Sequence, residues 1–366
     1  MTTPENSYHV AVVPGDGIGP EVCSAAVRVL QAAAAQDVRL HFTEHAAGAE
    51  LFRRTGDAFP AETLAACRAA DAVLHGAAGL PDVLYPDGTE AGQDFSMKVR
   101  SALDLYANLR PIRLHPGVRS PLAGRVPGDI DYVIVRENSE GLYASRSHGI
   151  VLHDQVATDT LMLTRRGIER IVKTAAELCM RRNGAPADGK HRVTVCDKSN
   201  VLRSFAFFRK VACEVLARYP EIEVDFALTD AITIHMIERP GHFDVIVCEN
   251  FVGDMISDLG AATVGGMGMS ESAEVGDTHG YFQASHGTAP SIAGKNIANP
   301  IATILSAASL AQWLGQRKSD PRLEQMSVRI RKAVEQVLLD PQTRTADLGG
   351  SAGTTQCTDA VCRALA

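Results

Sequence analysis

The 366-residue chain has no surplus of positive charge: 36 Lys and Arg stand against 43 Asp and Glu, a formal net charge of −7. Nucleic acids and anionic membranes attract clustered basic residues, so neither is expected as a partner. No run of about 20 apolar residues is present to span a bilayer. The opening MTTPENSYHV lacks the basic segment followed by an apolar one that marks an export signal, so the expected location is cytoplasmic. Eight cysteines (Cys23, Cys67, Cys179, Cys196, Cys213, Cys248, Cys357, Cys362) show no CxxC spacing, and several lie in apolar runs such as VTVC and DVIVC. Buried reduced thiols fit that pattern better than zinc or disulfides. Two nucleotide-binding signatures are missing as well. The stretch Val13 to Glu21, VPGDGIGPE, places Gly15 and Gly17 as G-x-G-x-x-G requires, but its third slot holds Pro20. No Gly-Lys-Ser/Thr follows to make a phosphate loop. By its residues alone this is a strand-to-helix turn whose glycines permit tight angles and whose proline sits in the first helical turn.

What is present is alternation. HVAVVP, VRLHFTEHA and DAVLHGA read as strands, with helices at AVRVLQAAAA and AETLAACRAA between them, the pattern of a parallel sheet covered by helices. The length suggests two domains. GLPDVLYPDGTEAGQDF breaks the pattern as a long polar loop, a length that points to function. IDYVIVREN is a strand, and Arg146 to Thr158 reads as a hairpin or arm. Alternation resumes from RRGIERIVKTAAELCMRRNG to FDVIVCEN. Two glycine-rich segments, LGAATVGGMGMS and THGYFQASHGTAP, then precede a last pair of helices and a tail.

Four constellations carry chemistry. Asp254 and Asp258 are four apart, which on a helix puts two carboxylates on one face with no Lys or Arg nearby in the sequence. A divalent cation would relieve their repulsion, and oxygen ligands suit Mg²⁺ or Mn²⁺; a lone D-x-x-x-D is more often a solvated face. Lys198 follows a strand in VTVCDKSNVL, and partial desolvation beside a metal would make it a usable base, although a lysine after a strand is usually only solvated. Arg100, Arg110 and Arg136 are guanidinium forks that together would grip a di- or tricarboxylate; ordinary salt bridges are the plainer reading. Tyr143 is a proton donor or a packing residue. SHGTAPSIAGKNIANP is a structured loop whose backbone amides suit a phosphate or adenine.

Taken together, VPGDGIGPEV, DLYANLRP, VRENSEGLY, DKSNVL, GDMISDLGA, HGTAPSIAGKNIANP and DLGGSAGT resemble the isocitrate and isopropylmalate dehydrogenase family of metal-dependent β-decarboxylating dehydrogenases, in family order from Val10 to Gly353. The resemblance implies an α/β two-domain fold that is not a Rossmann fold, with a discontinuous first domain. Residues 1–105 and 265–366 would form a large cofactor-side domain, and 106–264 a small domain with a dimerisation arm near residue 146. It further implies a homodimer with shared active sites. Asp254 and Asp258 match metal ligands of one subunit and Asp230 matches the ligand of the other. Arg100, Arg110 and Arg136 match the arginines that hold the malate carboxylates, and Tyr143 and Lys198 match the catalytic pair, with Asp230 beside them. His286, Gly287, Ala289, Ser291, Ile292 and Asn299 fall on the cofactor loop. The implied reaction is oxidative decarboxylation of a (2R)-malate-type acid with Mg²⁺ or Mn²⁺. The complete catalytic set argues against a non-catalytic paralogue.

Two departures shape the expectation. Ser291-Ile292 stands where NAD-dependent members usually carry Asp-Ile, and GSAGTTQCTDAV lacks the Arg and Tyr typical of NADP members. NAD is expected, with NADP possible. Ahead of Arg100, where isocitrate enzymes place Ser and Asn and isopropylmalate enzymes place Leu-Leu, the stretch reads GQDFSMKVR, without the Leu-Leu. Ser96 would hydrogen-bond a polar substituent, Met97 offers an adaptable apolar wall, and Asp94, if turned inward, would repel a γ-carboxylate. The expected substrate is 3-isopropylmalate or another 3-substituted malate, with tartrate, D-malate, homoisocitrate and isocitrate open.

Overall fold

The computed structural model describes residues 7–34, 38–146 and 148–366; Ser147, in the expected arm, lies outside the described residues. The strands are β1 Ser7–Gly15, β2 Arg39–Glu44, β3 Ala72–Ala77, β4 Ala107–Arg113, β5 Asp131–Glu137, β6 Ile150–Leu152, β7 Val156–Thr158, β8 Arg192–Asp197, β9 Glu223–Leu228, β10 Val245–Cys248, β11 Glu271–Val275 and β12 Gly280–Ala284. The chain divides into two compact units. One gathers Met1–Leu105, His115–Arg119 and Gly265–Ala366, and the other Tyr106–Leu114 and Ser120–Val264. No helix among the described residues is long and apolar enough to cross a membrane.

In the first unit the strands run in the order β2-β1-β3-β12-β11. All are parallel except β11, which pairs antiparallel with β12. Every side chain of β3 is buried, as expected of a parallel strand covered on both faces. The helix Ile301–Lys318 is apolar nearly all round and correspondingly buried, with Ile304, Leu305, Ala308 and Leu310 fully inaccessible. The segment expected as a tail folds instead as the helix Thr354–Leu365, because Cys357, Val361 and Leu365 recur every fourth residue and bury one face. Strand β12 falls in the second of the glycine-rich segments, and β11 lies between the two.

In the second unit the order is β4-β5-β10-β8-β9, all parallel except β4. The helix Arg165–Arg181 buries Ile168, Ile171, Val172, Ala175 and Cys179 along a single stripe, and Thr164 caps its start by accepting from the Gly167 amide. The expected arm is a two-stranded hairpin, β6 against β7. It turns at His153 and Asp154, both with positive φ, and leaves Ile150, Val151, Leu152 and Val156 exposed.

Candidate active site

The parallel strands β5, β10, β8 and β9 each deliver polar residues from their carboxyl ends, where α/β sheets place their chemistry. Arg136 lies at the end of β5 just before Glu137, Lys198 follows β8, Asp230 is in the first turn of the helix Thr229–Glu238 after β9, and the helix Asn250–Thr263 after β10 carries Asp254 and Asp258. That helix is started by Glu249, whose buried carboxylate accepts from the amides of Phe251 and Val252. Burial pushes the Glu249 carboxyl up and those amides pull it back.

Asp254 is the hub. The Tyr143 hydroxyl donates to its Oδ2 at 2.9 Å, Arg136 Nη1 donates to Oδ1, and Arg110 Nη2 lies 3.7 Å from Oδ1. Arg110 Nη1 also lies 3.8 Å from Asp258 Oδ1 and donates to Ser257 Oγ at 3.0 Å. Arg136 is almost wholly buried. Its Nε and Nη2 both donate to Asn250 Oδ1, at 3.0 and 2.8 Å, while the Asn250 amide donates to the Glu140 carbonyl. Arg136 is therefore seated by a neutral amide through Nε and Nη2 and paired with the Asp254 carboxylate through Nη1. Burial and the Asp254 carboxylate together raise the Tyr143 phenol to about 12, so it stays protonated at neutral pH. Desolvation raises the Asp258 carboxyl, with Arg110 opposing and Asp254 adding to the rise. Lys198 Nζ meets Asp230 Oδ1 at 2.6 Å, and that contact holds the Asp230 carboxyl below its usual range.

In the first unit the GDGIGPE turn is packed against the loop that follows β12. Ile18 N donates to Thr288 O at 2.8 Å, and a Cβ on Gly17, whose φ is +58°, would stand 2.0 Å from that oxygen. Pro20 sits in the first turn of the helix Gly19–Ala33. Asp16 accepts from the amides of Ala49, Glu50 and Gly79, drawing two chain segments to one carboxylate. Ile292 packs with Ile18, Val22 and Ala298. Asn299 donates to Asp347 at 2.9 Å, and Ser291 is exposed. His286 Nδ1 meets the Gly287 carbonyl at 2.9 Å, and burial lowers the imidazole's pKa. A Cβ on Gly287 would meet nothing within 4 Å, and Ala289 takes a positive φ of 40°.

The stretch before Arg100 lies on the helix Gln93–Ala102. Asp94 is engaged by the Tyr85 hydroxyl at 2.8 Å and by Lys98 Nζ at 3.0 Å. Ser96 is buried, and Met97 Sδ lies 4.0 Å from Arg100 Nη1. Asn108, Glu249, Asn250, Ser257 and Glu274 were not singled out from the sequence. The only hint at Asn250 was a polar pair, Glu-Asn, directly after an apolar strand.

Cys179, His191 and Asp244 form another group with metal-ligand chemistry among the described residues. It is closed by its own hydrogen bonds. The Cys179 thiol donates to Asp244 at 3.2 Å, Arg182 Nε donates to the same carboxylate at 2.6 Å, and His191 Nδ1 meets the Cys179 carbonyl. A guanidinium already supplies the positive charge a cation would bring.

The isocitrate/isopropylmalate dehydrogenase family model matches residues 9–361. The chain belongs to this family. A 3-isopropylmalate/3-methylmalate dehydrogenase of Methanocaldococcus jannaschii is 39% identical over 357 residues, covering 97% of this chain and 98% of that protein. A probable tartrate dehydrogenase/decarboxylase of Agrobacterium vitis is 37% identical over 98% of both chains. The crystal structure of isocitrate dehydrogenase from Methylococcus capsulatus superposes with a TM-score of 0.84 at 33% identity, over 98% of this chain and 99% of that one. This isocitrate/isopropylmalate dehydrogenase family member is accordingly an oxidoreductase, a decarboxylating dehydrogenase with the family's two-domain α/β fold.

Proposed function

We propose that this family member oxidises and decarboxylates a (2R)-malate bearing an apolar substituent at C3, such as 3-isopropylmalate, with NAD and Mg²⁺ or Mn²⁺. The observation that carries the substituent's chemistry is the Gln93–Ala102 helix. Asp94 is held by Tyr85 and Lys98, and the Met97 thioether beside Arg100 serves as the apolar wall. The Methanocaldococcus jannaschii relative, named for 3-isopropylmalate and 3-methylmalate, points the same way.

In this reading Arg100, Arg110 and Arg136 take the substrate carboxylates. Asp254 and Asp258, with Asp230 of a second copy, hold the cation; an all-oxygen donor set fits a hard divalent ion. Residues His286 to Asn299 take the dinucleotide. The dinucleotide supplies the hydride acceptor and the cation the Lewis acidity. Lys198 or a water it orients takes the proton of the C2 hydroxyl as the C2 hydride leaves. Once CO₂ departs, Tyr143 donates a proton to C3 of the resulting enol. A homodimer is supported by the apolar residues left exposed in the second unit, among them Ile150, Val151, Val201 and Ile234.

The test is formation of reduced nicotinamide with Mn²⁺, separately with NAD and NADP, across 3-isopropylmalate, 3-methylmalate, D-malate, tartrate, homoisocitrate and isocitrate. Highest kcat/KM on an apolar 3-substituted malate is expected; preference for tartrate or isocitrate refutes the substrate reading. Mixing Lys198→Ala with Asp254→Asn subunits should restore part of the activity, and a monomeric or uncomplemented enzyme refutes the shared site.

A further inference from the structure

Arg100 and Arg136 are seated by different means. The Nε edge of Arg136 rests on the neutral Asn250, but that of Arg100 is gripped by a carboxylate: its Nε lies 2.8 Å from Glu274 Oε2 and its Nη2 2.8 Å from Oε1. Glu274, on β11, has a wholly buried side chain, and that of Arg100 is 8% exposed. The acid is fixed in turn. Gln283, on β12, donates from Nε2 to Glu274 Oε1 at 2.7 Å. Tyr281 lies directly across the strand pair from Glu274 and packs against His75 and against Phe95 of the Gln93–Ala102 helix. One buried chain of contacts thus runs from the Gln93–Ala102 helix through β12 to β11 and back to the guanidinium.

A guanidinium has two edges that can grip a carboxylate, one formed by Nε with one terminal nitrogen and one formed by the two terminal nitrogens. Glu274 takes the first. The second is thereby turned away from Glu274, with Nη1 on the side of Met97 Sδ.

We propose that Glu274 is a positioning residue that orients Arg100 to present its terminal edge to a substrate carboxylate, with Gln283 holding Glu274 in place. The proposal rests on the reading that Arg100 contacts the substrate. Glu274 touches neither substrate nor cofactor, so its effect passes wholly through Arg100. Because the pair is neutral as a unit, Arg100 selects its anion by the geometry of two N–H bonds, and a lysine there would not substitute.

The experiment compares Glu274→Gln, Gln283→Leu, Arg100→Lys and the Glu274→Gln/Arg100→Lys pair in the Mn²⁺-loaded enzyme. Substrate KM and kcat, the KM for NAD and thermal stability would be measured, together with calorimetric binding of the acids, which does not depend on turnover. Loss of one charge-assisted bond predicts a substrate KM up about tenfold or more for Glu274→Gln and about threefold for Gln283→Leu. The KM for NAD should stay within about twofold, and Glu274→Gln should add little in the Arg100→Lys background. An NAD KM that rises in step, or a full Glu274→Gln effect in that background, would show a merely structural role and overturn the proposal. If Glu274→Gln does not fold, Gln283→Leu decides alone: lower stability with unchanged acid binding overturns it. An active wild type with unmoved variants refutes Glu274 only; a wild type that neither oxidises nor binds any acid refutes the functional reading as well.

Discussion

Gly253 lies in the first turn of the helix that carries Asp254 and Asp258, and its missing side chain is the floor beneath Arg136. A Cβ there would stand 2.6 Å from Arg136 Cγ, 2.7 Å from its Cβ and 3.0 Å from Cys248 Sγ. These are near atoms of a buried stem, so Gly253→Ala must displace the arginine or the helix. Overpacking of this kind costs roughly 1–3 kcal/mol, against about 1 kcal/mol gained by replacing a helical glycine with alanine. The net stability change is therefore about 0–2 kcal/mol, a fall in Tm of a few degrees at most. The activity change should be larger. Moving Arg136 off Asn250 and out of line with a carboxylate forfeits charge-assisted hydrogen bonds, which predicts a drop in kcat/KM of about 10- to 100-fold. Gly260 on the same helix supplies the control, since its Cβ would meet the Ile112 side chain at 2.9 Å and the Tyr132 hydroxyl at 3.2 Å, neither of them a site residue. Gly260→Ala should cost similar stability and little activity. The assay is Tm by calorimetry alongside kcat/KM on the best substrate. Unchanged kcat/KM in Gly253→Ala, or equal activity loss in both variants, would refute the argument.

Three further outcomes are expected. Burial lowers the His75 imidazole from 6.5 to about 4, while its Nδ1–H donates to the Val13 carbonyl. The unfolded chain then takes up the proton first, so stability present above pH 6.5 is lost as pH falls to about 4, by ~3 kcal/mol. The stability difference between wild type and His75→Gln should shrink across that window, and a constant difference counts against it. Ser291→Asp should lower kcat/KM with NADP at least about tenfold more than with NAD, because a carboxylate there repels a 2′-phosphate; equal effects on both dinucleotides would exclude this role. Tyr143→Phe should lower kcat about 10²- to 10⁴-fold with Mn²⁺ affinity, read by calorimetry, changed only a few-fold. Parallel losses would make Tyr143 a structural support of Asp254 instead.

Local pattern was enough to reach the alternating strands, the Asp254 and Asp258 spacing and the helix that displays them, and the position of Lys198 after a strand. Each of these is set within about ten residues of chain. The features that escaped depend on distant partners. Strand β11, ESAEV, is short and polar, and its acids look exposed until Arg100 and Arg331 supply buried countercharges. The Thr354–Leu365 helix is read as a tail because its apolar stripe is sparse and becomes meaningful only against other helices of the first unit. Asn250 and Glu274 act on arginines more than a hundred residues away, a relation that spacing cannot express.

The first unit is assembled from both ends of the chain, and that has a consequence during synthesis. Strand β3 finds its neighbour β12 only after roughly 200 more residues have been made, the register being Val73 with Tyr281, a wait of about 10–40 s at ordinary elongation rates. The second unit, encoded between them, has all its strands in hand first. Through that interval β3 offers the ribosome exit an apolar edge whose pairing groups have nothing to bond. Nascent chains stalled between residues 110 and 260 should therefore bind holdase chaperones strongly, and those carried beyond residue 340 should let them go.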